Sequence, residues 1–158
     1  MTAVATVAAS FKGKVFDVAT ALWATSNPEM LVTYGRPGVN VPDDVCMILG
    51  VESSQEPGAI GPQRQREETL TIDVQWWIFR AGEEDAEREA TEYLYARMGE
   101  LEQYFRVTDT TLDGLVRDCF LSSHQFDTTE ADSRVSGRGR LAVANAQFVA
   151  HVRIRTIP

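Results

Sequence analysis

The sequence predicts an α+β fold: an antiparallel or mixed β-sheet with two helices packed on one face, in the order α-β-β-β-α-β-β. Three observations carry this expectation. Two long segments repeat apolar residues at spacings of three and four, the period of an amphipathic helix. Other runs are continuously apolar or alternate with period two, as strands do. The last of these runs carries a row of alanines, and small side chains let a helix lie close on a sheet.

The elements follow in chain order. Val4, Ala8, Phe11, Val15, Val18 and Leu22 form one stripe, widened by Val7 and Ala19, and predict a helix from about residue 3 to 24. Ser26-Asn27-Pro28 stops it. Met30 to Tyr34 is a short β-like run. Gly35-Arg36-Pro37-Gly38 and Val41-Pro42-Asp43-Asp44 mark a loop. Val45 to Val51 is continuously apolar and predicts a buried strand. Residues 52–66 have no periodicity and hold two prolines and two glycines, which predicts a mobile loop. In Glu68 to Arg80, Leu70, Ile72, Val74, Trp76 and Ile78 face one way, while Thr69, Thr71, Asp73, Gln75 and Trp77 face the other.

A second helix is expected from about Glu84 to Phe105, with Ala86, Ala90, Leu94, Leu101 and Phe105 as its apolar stripe. Between Glu83 and Phe105 stand eight acids and two arginines, and the acids crowd the first turns, where they favour the helix dipole. Thr110 to Gly114 reads as a turn. Leu115 to Phe126 reads as a strand, and 127–139 as a polar connection. From Arg140 to Ile157, Ala142, Ala144, Ala146, Phe148, Ala150, Val152 and Ile154 line one face. At 18 residues this strand is long, and it is expected to bend or to reach past its own sheet toward another subunit.

Length and composition bound the function. A chain of 158 residues is about one domain, 1–158, and can bury a core without disulfide or metal staples. Composition is that of a folded protein, with 44% hydrophobic and 24% charged residues, so disordered and collagen-like classes fall away. The net charge of −8 does not suit general adhesion to DNA or anionic membranes. No apolar window is long enough for a membrane helix. Lys12 and Lys14 follow the apolar amino-terminal stretch, the reverse of a secretory signal. The expectation is a protein made and used inside a cell, or in a particle assembled there. Cys46 and Cys119 are then two small buried hydrophobes rather than a disulfide.

No chemistry stands out. His124 and His151 have no partner at metal-ligand spacing, and Cys119 and His124, five apart on a strand, are expected on opposite faces. The glycine-containing pieces lack phosphate-cradling spacing. No catalytic residue, metal or cofactor is expected. The acids of the second helix spread around it without a calcium-loop pattern, as a solvated face does. In a ring of copies, they would instead line a channel and keep DNA from sticking. From Ser133 to Pro158 there are five arginines and no acid. That contrast suggests a basic edge meeting the acidic helix of a neighbouring copy, with Glu84 and Glu87 facing Arg138, Arg140, Arg153 and Arg155. Solvated arginines without a partner are the plain alternative.

The order of segments resembles the tail terminator proteins (tail-to-head joining, minor tail) of long-tailed bacteriophages. The resemblance runs over most of the chain. It takes in VATVAASFKGKVFDVATALWA, LVTYGRP, DVCMILGV, REETLTIDVQWWIF, EREATEYLYARMGELEQYF, TLDGLVRDCFLSS and the long final strand. Arg66 to Ile72 and Thr111-Leu112-Asp113-Gly114 look most like the family. The resemblance implies a structural virion protein, not an enzyme, located at the head-tail junction. It implies a ring, typically a homo-hexamer, that caps the tail tube, stops its growth and presents a surface to the head-completion proteins. DNA would pass only transiently through the channel, and no membrane is involved. The 52–66 loop is then the candidate docking arm, with Gln55, Gln63, Arg64 and Gln65 as contact residues. Two alternatives stand beside this. One is a head-completion, neck or tail-tube protein of the same virion. The other is a small-molecule-binding α+β domain with Trp76, Trp77 and Tyr93 in a pocket between sheet and helices.

Overall fold

The computed structural model describes residues 5–58 and 65–154. Five strands form one mixed sheet with two helices on a single face, as the sequence predicts. The elements are α1 (Ala8–Trp23), β1 (Leu31–Tyr34), β2 (Asp44–Pro57), β3 (Arg66–Ala81), α2 (Glu84–Gln103), β4 (Asp118–Ser133) and β5 (Gly137–Ile154). The strand order across the sheet is β1-β2-β3-β5-β4. β1 pairs parallel with β2, and the other neighbours are antiparallel.

The even-numbered residues of β3 and β5 make the core. Leu70, Ile72, Val74, Trp76 and Ile78 lie beside Ala142, Ala144, Ala146, Phe148 and Ala150, all fully buried. The alanine row lets α2 settle close, with Ala90, Leu94, Met98 and Leu101 facing the sheet. α2 ends in a π-helical turn, Tyr104–Thr108, whose Phe105 meets Phe148 edge-on at 5.4 Å. Toward the other side, Phe11, Val15, Ala19 and Trp23 of α1 join the same core, where Trp23 meets Trp76 at 6.5 Å.

Several expected boundaries move. Residues 52–57 are not loop: β2 runs to Pro57, with Glu52 opposite Thr71 and Gln55 opposite Glu68. This half of β2 is exposed, so nothing in its sequence had to alternate. Antiparallel pairing with β3 builds it against its own weak propensity. β4 likewise runs on to Ser133 instead of ending near Phe126, along an exposed sheet edge. A bulge between Leu121 and Ser123 shifts its register by one residue. Cys119 pairs with Ala150 and His124 with Ala146, so the two share the helix-side face that spacing alone had separated. Among the described residues β5 stays within its sheet: β3 pairs with it from Gly139 to Ile154 and β4 from Gly137 to His151.

Candidate functional site

Of the proposed docking arm, residues 52–57 belong to β2. Gln63 and Arg64 lie outside the described residues. Gln65 sits at the hairpin base, where its carbonyl accepts the Gly58 amide at 2.8 Å. Gln55 is a structural tie. Its side-chain amide donates to the Ala5 carbonyl at 2.8 Å and to Glu68 at 3.0 Å. Glu68 is almost fully buried, yet its carboxylate also accepts from Thr6 Oγ1, Ser53 Oγ and the Val7 amide. It therefore satisfies an otherwise free amide at the start of α1. Burial pushes its pKa up, but these donors outweigh that and hold it below the usual carboxylate value.

The arginines of the carboxy-terminal segment do not form one basic edge, because β5 is an interior strand. Arg138 and Arg153, 15 positions apart on it, are separated by roughly 50 Å. Two of them, Arg140 and Arg153, are held closely by acids of their own chain. Arg140 holds Glu130 at 2.6 Å and lies 3.9 Å from Glu87. Arg153 and Arg117 share Glu67 at 2.6 and 3.0 Å, and the Arg153 contact holds that carboxyl below its usual range. Arg155 lies outside the described residues. The expected pairing of Arg140 and Arg153 with a neighbour is thus met by partners inside the chain, made invisible in sequence by separations of 10 to 86 positions.

What stays open is the tip of the β4–β5 hairpin. Arg138 is 91% exposed, with its nearest carboxylate, Asp132, at 4.0 Å. Arg134 is exposed and has no ion-pair partner among the described residues, and Val135 is 76% exposed. Asp43 anchors the tip by accepting from Ser133 and Ser136. Between the tip and residues 39–43 runs a groove of about 340 Å³ on the sheet face away from the helices. Val45, Trp77, Phe79 and Leu141 line it, and Val39, 84% exposed, stands beside them. Sequence alternation put Trp77 on this face, but only the fold supplies the groove walls.

On the other face, the first turns of α2 present a shallow hollow of about 560 Å³ lined by Glu84, Glu87, Arg88, Thr91 and Glu92. Glu87 is tied down by Thr128 at 2.6 Å, whereas Glu84 is exposed without an ion-pair partner among the described residues.

Trp76, Trp77 and Tyr93 share no pocket. Trp76 is fully buried in the core, and Trp77 lies on the opposite face. Tyr93 packs against the guanidinium groups of Arg80 and Arg97, each 4.6 Å from its ring. Both cysteines are free and buried. Burial pushes the Cys46 thiol far up, and burial with the Asp118 charge pushes Cys119 to about 12, so neither offers a thiolate at neutral pH. Among the described residues no group of His, Cys, Asp and Glu comes together as metal ligands, and no helix is long and apolar enough to cross a membrane. No protein-family model and no curated protein matches the chain.

Proposed function

We propose that this protein is a structural subunit of a long-tailed phage particle. In this reading it is a tail terminator, whose copies form a homo-hexameric ring on the end of the tail tube. The ring stops tube growth and offers the surface on which the head-completion proteins dock, while DNA passes transiently through its channel. The observation that carries the reading is the order and spacing of the segments that resemble that family. The phrase Thr111-Leu112-Asp113-Gly114 supports it as a structural turn. Leu112, Asp113 and Gly114 all have positive φ, Leu112 is buried, and Asp109 accepts the Asp113 amide. Such a turn fixes where β4 begins, which suits a rigid ring subunit.

The reading assigns no catalytic step. Its test is genetic and microscopic. Deleting the gene should give overlong tails that no head joins, and tails of normal length would overturn the assignment. Purified protein mixed with tail tubes should cap them as rings. Assembly into long tubes would instead make it a tube subunit, and binding only to head portals would make it a neck protein.

A further inference from the structure

We propose that a second copy of this chain is the occupant of the β4–β5 hairpin tip, which lies against the acidic first turns of that copy's α2. This rests on the ring reading and names the contact that would build the ring.

The two surfaces are unlike and complementary. The tip carries Arg134, Val135 and Arg138, all exposed; Arg134 has no ion-pair partner among the described residues, and Arg138 has only the long, solvent-exposed contact with Asp132 at 4.0 Å. The α2 start carries Glu84 and Asp85, both exposed and without ion-pair partners among the described residues. Of the other charged groups at the hollow beside them, Glu92 is paired with Arg88 at 2.9 Å and Glu87 is held by Thr128, so Glu84 and Asp85 are the acids left for a partner. The other ionic side chains of β5 contrast with these. Arg140 and Arg153 are held by acids at 2.6 Å, so they have little left to offer a partner. Charge of opposite sign steers such surfaces together, and the exposed Val135 adds apolar area that water would otherwise cover.

Placement sets the geometry. The tip borders the groove on the open sheet face, while α2 lies on the helix face. A patch on one face that meets a different patch on the other face makes a heterologous contact. Such a contact repeats from copy to copy and closes a ring when its rotation divides a full turn.

The test is a charge exchange read by light scattering and electron microscopy, with tail tubes present and absent. Arg134→Glu with Arg138→Glu should weaken self-association at least about tenfold. Glu84→Arg with Asp85→Arg should do the same. Mixing the two variants, or combining all four changes in one chain, should restore assembly, because each tip again meets the opposite sign. All substituted positions are exposed, and unchanged circular dichroism and melting temperature would show that the fold survives. If the wild type assembles and neither reversal weakens it, the contact is refuted while the ring reading stands. If both reversals weaken assembly and the exchange does not restore it, the contact is refuted too. A wild type that stays monomeric even on tubes overturns both.

Discussion

Glu68 shows how one side chain couples distant segments. Its carboxylate gathers donors from residues 6, 7, 53 and 55, so the start of α1 and the distal half of β2 depend on it. A carboxyl whose folded pKa lies below its unfolded value contributes stability above the unfolded pKa and loses it as pH falls through the folded one. Glu68→Gln should therefore cost about 2 kcal/mol near neutral pH, measured by urea unfolding. It should also flatten the loss of stability on acidification below about pH 4.3. A variant with the wild-type acid profile would show that other carboxyls dominate it. Gly139 makes a second residue-scale case. A Cβ there would lie 2.1 Å from the Arg80 carbonyl and 2.7 Å from the Phe79 ring. Backbone cannot move aside cheaply, so Gly139→Ala should lower stability by about 2–3 kcal/mol in denaturant melts. An unchanged melt would mean that β3 and β5 separate there without cost.

Elements are joined by a polar seam at the end of the sheet where α2 begins. Arg80 of β3 forks onto Asp44 of β2 at 2.5 and 3.2 Å and packs on Tyr93 of α2, whose hydroxyl donates to Asn27 after α1. Asp44 is nearly buried, so Asp44→Ala would remove the fork and leave Arg80 only Glu89, at 3.3 Å, and should cost about 1.5–3 kcal/mol by thermal or chemical melting. Strand position gives another expectation. β5 is paired on both sides and β4 on one, so hydrogen exchange should protect β5 amides far longer than the alternate β4 amides that face outward. Equal protection in the isolated protein would mean that something covers the β4 edge. The sequence made β3 and β5 legible because one face of each is buried and the other is not, which sets Leu70 between Thr69 and Thr71 and Ala146 between Asn145 and Gln147. Ser53–Pro57 and the end of β4 were illegible for the opposite reason. Both of their faces are largely exposed, so no alternation was imposed, and bulges shifted the register besides.

At the scale of the whole molecule, the candidate surfaces were only half legible. Composition located the acids of α2 and the arginines of the last segment. It could not show that Arg153 finds Glu67 or that Arg140 finds Glu130, because those meetings depend on sheet order. Among the described arginines of the last segment, the fold thereby separates Arg140 and Arg153, already held, from Arg134 and Arg138 at the hairpin tip. Both helices share one core, so unfolding should be a single two-state transition with coincident circular dichroism and tryptophan fluorescence. Separate transitions would mean that α1 melts from the sheet on its own. The position of β5 has a consequence for biosynthesis. The strand that sits between β3 and β4 is the last described element to be translated, so a growing chain on the ribosome holds β3 and β4 without the piece that joins them. Such non-local closure is slow, and until it happens those two strands show bare, sticky borders, which makes the nascent polypeptide a natural client for chaperones.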